Sequence, residues 1–154
     1  MKVQKRRNVR GFTLFEIMIV IVILGLLGAM VLPNVMGNLD RANVQKAISD
    51  VQALEKAMIT YKADNFKFPT TEQGLEALVE ETDIEPLPRR FLPGGYVSSL
   101  PQDPWGNEYI LISPGEFGRY DIFSSGEDGE PGTDDDIGNW NIKEWQAGGP
   151  GSEG

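Results

Sequence analysis

The chain contains neither cysteine nor histidine. Without cysteine no disulfide can tie down a loop, whatever the redox state of the compartment. Without histidine the commonest general base and transition-metal ligand is missing, and zinc has lost its usual donors. Basic residues are scarce too: 14 Lys and Arg stand against 23 Asp and Glu, a net charge of −9. A surface of that sign repels phosphates, which excludes nucleic acid as a main partner. The few bases are unevenly placed. Lys2, Lys5, Arg6, Arg7 and Arg10 all precede Gly11 with no acid among them, and losing that leader leaves nine bases against 23 acids, a net −14.

After the leader comes an apolar run. Residues 12–32 read FTLFEIMIVIVILGLLGAMVL, and at ~1.5 Å per residue a helix of that length spans ~31 Å, close to the hydrocarbon thickness. The reading is a single-pass helix with its basic leader in the cytoplasm and the rest of the chain on the other side. A secretory signal peptide is the alternative, but its apolar region is shorter and no A-x-A-like site follows Leu32. An ordinary membrane anchor is the stronger rival, and Glu16 counts against it. A carboxylate within a span costs roughly 2.5–3.5 kcal/mol on insertion scales. Glu16 is near enough to the helix start to snorkel toward the interface. The sharper hypothesis is that it waits for a cation. Cleavage between Gly11 and Phe12 would create an amine at Phe12, four residues away on the same helix face, free also to meet Glu16 of a neighbouring subunit. Pairing across subunits would make Glu16 an assembly signal.

Beyond the span, Val44, Ala47, Ile48, Val51, Leu54, Met58 and Tyr61 recur at helical spacing. This predicts one long helix over about 12–63, with a weak spot near Gly28–Pro33 because proline cannot donate its backbone hydrogen bond. Its second half would roof a globular domain. Thr70 and Gln73 have capping-box spacing and predict a short helix over 71–80. Residues 81–95 read as loop. Short β-prone runs at 96–100, 109–112 and 120–124 follow, separated by turns at 101–106 and 114–118. The class is therefore α+β, with a small antiparallel sheet against the long helix. The expected divisions are a leader at 1–11, a membrane and assembly helix at 12–33, a globular domain at 34–145 and a disordered tail at 146–154. A domain with so modest an apolar stock benefits from a staple.

Residues 125–140, SGEDGEPGTDDDIGNW, hold six acids and no base. Two readings stand: a solvated acidic loop, or a site for a hard cation. Calcium suits the second, taking about 6–8 oxygens from carboxylates, carbonyls and water, whereas magnesium demands tighter octahedral geometry. The EF-hand spacing is absent. Trp140 and Trp145 are placed to pack the following segment on the sheet. No nucleophile–base pair is visible, and the carboxylates are too crowded and too local for a catalytic dyad, so an enzyme is not expected.

Gly11 followed by F-T-L-x-E and an apolar helix resembles the class III signal of type IV pilins and pseudopilins. FPTTEQGLEAL at 68–78, LPQDPWGNEY at 100–109, and YDIFSSGEDG followed by DDIGNW are similar to the major pseudopilins of the type II secretion system. The resemblance covers most of the chain, and the missing cysteine pair agrees with it. It implies a type IV pilin-like fold, cleavage by prepilin peptidase after Gly11, methylation of Phe12, and Glu16 as the fifth mature residue. It implies calcium in the distal loop, with Asp128 and Asp135 as side-chain ligands and Ser125 and Glu130 giving main-chain oxygens. Thr133 would give an oxygen of either type, and Asp136 is a weaker candidate. Ser125 replaces the common aliphatic residue, and Asp134 adds an acid beside the pair, leaving open which of the three aspartates reaches the metal. Implied partners are membrane lipid before assembly, then copies of the chain itself, minor pseudopilins and the inner-membrane assembly platform. The implied place is the inner membrane with the globular domain in the periplasm, and the implied role is the pseudopilus that supports export of folded proteins. A type IV pilin for adhesion, motility or DNA uptake and a membrane-anchored calcium-dependent binding module remain as alternatives.

Overall fold

The computed structural model describes residues 12–149, with side chains placed for 12–27 and 39–149. Helix α1 runs from Leu14 to Asn65. The chain divides into two compact units, residues 1–40 and residues 41–154.

In the first unit the apolar side chains from Phe12 to Leu27 are all exposed, Leu14 at 81% and Phe12 at 78%. A continuous bare apolar helix is unfavourable in water and requires a cover of lipid or protein. Among the described residues no helix is long and apolar enough to cross a membrane. The rest of the expected span, with the weak spot near Gly28–Pro33, lies outside the described residues, as does Gly11.

The second unit is built on the stripe seen in the sequence. Ala47, Ile48, Val51, Leu54, Met58 and Tyr61 are all buried. Turned the same way at three- and four-residue spacing, they form one wall of the core. The opposite wall is a three-stranded antiparallel sheet, β1 (Ile110–Ile112), β2 (Asp121–Ser124) and β3 (Ile137–Gly138), in that order. Leu111 pairs with Ile122, and both face the helix in a cluster with Leu54, Met58 and Tyr61. A smaller cluster joins Ala47 and Ile48 to Ile137, with Trp105, Ile142 and Trp145 packed against it.

Three expectations need correction. The capping box forms as read, Thr70 N–H donating to Gln73 Oε1 and Gln73 N–H to Thr70 Oγ1. It opens only a turn and a short 3-10 helix, Leu75–Leu78, instead of a helix over 71–80. Gln73 turns its amide to the carbonyls of Ile84 and Pro86, and Tyr96 and Val97 N–H bond to Leu78 O, so the chain is drawn off before a second turn can grow. Those bonds also explain why 96–100 is not a strand. Tyr96 is held by its ring and hydroxyl against Tyr61, Asn65 and Asp64, leaving no ladder to join. The tail does not begin at 146, because α2 spans Ile142–Ala147. Trp145 anchors it by donating from Nε1 to Asp136 O at 3.0 Å.

All four tyrosines have hydroxyls pushed above their ordinary pKa, burial being the first cause in each case. Asp50 accepts from Tyr109 and raises it further, Asp64 does the same to Tyr96, and Glu55 acts on Tyr120. The folded state thus holds phenolic protons that the unfolded chain gives up from about pH 10. This contribution is intact below pH 10 and is lost as pH rises from there toward the higher folded values. A spectrophotometric titration should find tyrosinate appearing late and together with loss of structure. Free-tyrosine titration with the fold retained would overturn this.

Candidate functional site

At the start of α1, Thr13 and Glu16 form a second capping box. Glu16 N–H donates to Thr13 Oγ1 at 3.2 Å, and Thr13 N–H approaches Glu16 Oε2 at 3.5 Å. Thr13 O accepts from the amides of Glu16 and Ile17, so both residues organise the first turn. The capping role of Thr13 and Glu16 adds a third reading to snorkelling and to waiting for a cation. The signal was legible, since Thr-x-x-Glu is the spacing that marks Thr70–Gln73. Glu16 therefore has a structural partner within its own chain, while its exposure leaves it accessible to a cation from elsewhere.

The distal loop leaves β2 at Ser124 and returns at Ile137. Its entry is braced by the buried Asp103 of the PQDPWG turn. One oxygen accepts from the amides of Trp105 and Asn107, and the other from Ser124 Oγ, which itself receives Gly126 N–H. Its exit is braced by Asn141, which bonds Gly138 N–H and Asp136 O. Asn139 extends the ladder beside Ile122. None of these three braces was singled out from sequence, and a polar residue in a turn gives little sign of a long-range partner.

Within the loop the expected ligands are brought together unequally. Asp135 faces inward: its carboxylate accepts from Asp128 N–H at 3.1 Å and from the Thr133 hydroxyl. Asp128 Oδ1 holds Glu130 N–H, and Thr133 Oγ1 lies 3.1 Å from Glu130 O. Gly126 has φ +65°, and a Cβ there would collide with the Asp135 carboxylate, so only glycine lets the loop close around that group. Ser125 is buried at the loop entry. Asp136 points elsewhere, with Oδ2 on Gly132 N–H and a buried Oδ1 that has no partner among the described residues. Asp134 is exposed. For Asp135 burial raises the pKa, but the Thr133 hydroxyl and the amides of Asp128, Glu127 and Asp135 outweigh it, giving a net lowering. For Asp136 burial is the main cause of a net rise, opposed by the amides of Gly132 and Thr133 and reinforced by the charges of Asp135 and Asp128.

These donors are all oxygens, which suits a hard cation. The orphaned Asp136 Oδ1 and the mutual repulsion of Asp128, Asp135 and Asp136 are what a bound cation would relieve. Among the described residues no three or more Asp, Glu, His or Cys side chains form a metal-holding group. A site here must accordingly draw on carbonyls and the Thr133 hydroxyl besides Asp128 and Asp135.

Known proteins match the chain along nearly its whole length. Residues 34–140 match the family model described as type II secretion system (T2SS), protein G, and residues 6–32 match the prokaryotic N-terminal methylation motif. The type II secretion system core protein G of Aeromonas hydrophila is 61% identical over 143 residues, covering 93% of this chain and 99% of the relative. The protein of the same name from Klebsiella michiganensis is 57% identical over 138 residues, 90% of this chain and 97% of the relative. The crystal structure of the major pseudopilin from the type 2 secretion system of enterohaemorrhagic Escherichia coli aligns with a TM-score of 0.67 at 52% identity. It covers 70% of this chain and 90% of that one. The α+β arrangement is thus type IV pilin-like, as the motifs implied, and the chain belongs to the type II secretion system protein G family.

Proposed function

We propose that this chain is the major structural subunit of a type II secretion pseudopilus, anchored in the inner membrane with unit 41–154 in the periplasm. The observation that carries this is the pairing of a methylation-motif N-terminus with a bare apolar helix and a pseudopilin-like domain on one chain. In this reading prepilin peptidase cuts after Gly11, and methylated Phe12 becomes the first residue. Lipid covers the side chains from Phe12 onward until neighbouring copies replace it. Polymerisation then joins copies through these helices, with minor pseudopilins and the assembly platform as further partners. The role is structural, not catalytic.

Calcium in the distal loop is part of the same proposal. Asp128 and Asp135 would hold it by side chains, Ser125 and Glu130 by carbonyls, and Thr133 by an oxygen. The inward carboxylate of Asp135 supports it over Asp134, and Asp136 is a candidate through its orphaned oxygen. What the ion supplies is charge neutralisation and a cross-link between the two arms of the loop.

Mass spectrometry of the mature chain tests the processing step. A chain beginning at methylated Phe12 is expected. An intact leader on the membrane-inserted protein would instead favour an anchored binding module.

A further inference from the structure

The face of the sheet turned away from α1 carries an open cleft of about 580 Å³. Leu111 and Ile122 point into the core, so their neighbours Ile112, Asp121 and Phe123 face the other way. The aromatic wall is Phe117 stacked on Trp140, with centroids 4.5 Å apart and planes 19° apart. Phe117 nevertheless remains 65% exposed. Beneath it Asp121, only 1% exposed, spends Oδ2 on the amides of Glu116 and Phe117 and leaves Oδ1 without a partner among the described residues. Glu116, Asp134 and Glu144 add carboxylates at the rim, and among the described residues no Lys or Arg lines it. An aromatic face above uncompensated negative charge recognises a guanidinium, especially one presented beside an apolar ring.

The same unit presents such a group elsewhere. At the end of α1, Phe66 holds φ +63°, a left-handed conformation that a bulky side chain rarely adopts, and its ring is 74% exposed. Arg89 lies over this ring, 5.4 Å from its centroid. The neighbouring cations are engaged elsewhere, Lys62 Nζ over the Phe68 ring, Lys67 Nζ on Leu87 O and Arg90 beside Asp64, so Arg89 is the cation that Phe66 carries. Arg89 and Phe66 thus form one exposed cation–aromatic pair on a strained turn.

We propose that the Phe66–Arg89 knob of one copy docks in the Phe117–Trp140 cleft of a second copy. Knob and cleft share no residue, so the contact is between unlike surfaces. Such a contact repeats along an open filament in place of closing a dimer. The inference rests on the pseudopilus reading given above and adds a contact between globular domains to that between N-terminal helices.

The full chain, expressed with its secretion machinery, tests this. Because the chain has no cysteine, an Arg89→Cys, Asp134→Cys variant carries only those two thiols, and the single variants Arg89→Cys and Asp134→Cys, which should give no ladder, control for bridges between like positions. A covalent ladder of two, three and more copies from oxidised filaments is expected. Filaments without the ladder, or a bridge inside a single copy, overturn the inference alone. Should the cysteine variant fail to assemble, charge exchange decides. Arg89→Glu should lower filament yield roughly tenfold, and adding Glu116→Arg should restore it. Failure of the pair to restore yield overturns the inference. Absence of filaments from the unmodified chain overturns the pseudopilus reading and the inference with it.

Discussion

Removing calcium from the processed, detergent-solubilised chain should lower the melting temperature of unit 41–154 by about 10 °C. At a free ion concentration one hundred times its dissociation constant, a ligand that binds only the folded state adds about 2.7 kcal/mol. For a domain of this size about 1 kcal/mol moves the midpoint by roughly 4 °C. The effect is large because little else holds the C-terminal third. No disulfide exists, β3 is two residues long and α2 only six. Without the ion the loop keeps its braces at Asp103 and Asn141, but inside it several hydrogen bonds run to carboxylates that repel each other. Asp135→Ala should abolish the calcium response, whereas Asp134→Ala should keep it, since Asp134 faces solvent. Protease should cut the 125–136 loop in chelator and spare it in calcium. Equal melting temperatures in chelator and in calcium would eliminate the site.

Replacing Glu16 should stop assembly without stopping membrane insertion, and two variants separate its two roles. Glu16→Ala removes both the charge and the cap on Thr13 N–H. Glu16→Gln removes only the charge, because glutamine serves the capping box as well as glutamate does. If the carboxylate pairs with the amine of Phe12 on a neighbour, both variants insert and neither forms filaments. Losing that pair would leave a buried cation without its partner, a penalty of about 3–5 kcal/mol per subunit contact. If only the cap matters, Glu16→Gln assembles normally while Glu16→Ala frays the first turn, at a cost of about 0.5–2 kcal/mol. Normal filaments from the glutamine variant, seen by electron microscopy, would therefore end the pairing hypothesis.

The features legible in sequence were those with local or periodic causes. The stripe from Val44 to Tyr61 predicted a helix over 12–63, and α1 runs Leu14–Asn65 because burial of that stripe is worth more than any local preference at its ends. The Thr70–Gln73 capping box and the strands at 110–112 and 121–124 were likewise visible, each depending on a few adjacent residues. The apolar run with one acid marked the assembly end, and the acid-rich turn sequence marked the distal loop.

Where the outcome depended on distant partners, sequence was silent. Residues 96–100 have strand-like composition, yet Tyr96 is claimed by the end of α1. The 71–80 helix stops short because Gln73 and Leu78 bind segments more than ten residues away. β3 is too short to show a period of two, and it pairs only because Asn139 and Asn141 hold the returning loop in register. Within the loop, composition supplied six carboxylates without ranking them. Folding separates Asp135, turned inward on Asp128 and Thr133, from Asp136, turned to Gly132, and from solvent-facing Asp134. Sequence by itself determined the family, the long helix, the charge imbalance and the absence of any disulfide. Only tertiary structure decided which carboxylates converge and where the aromatic cleft lies. Chain order fixes side-chain chemistry and local backbone preference, but the direction of a side chain in a turn is set by neighbours that folding alone supplies.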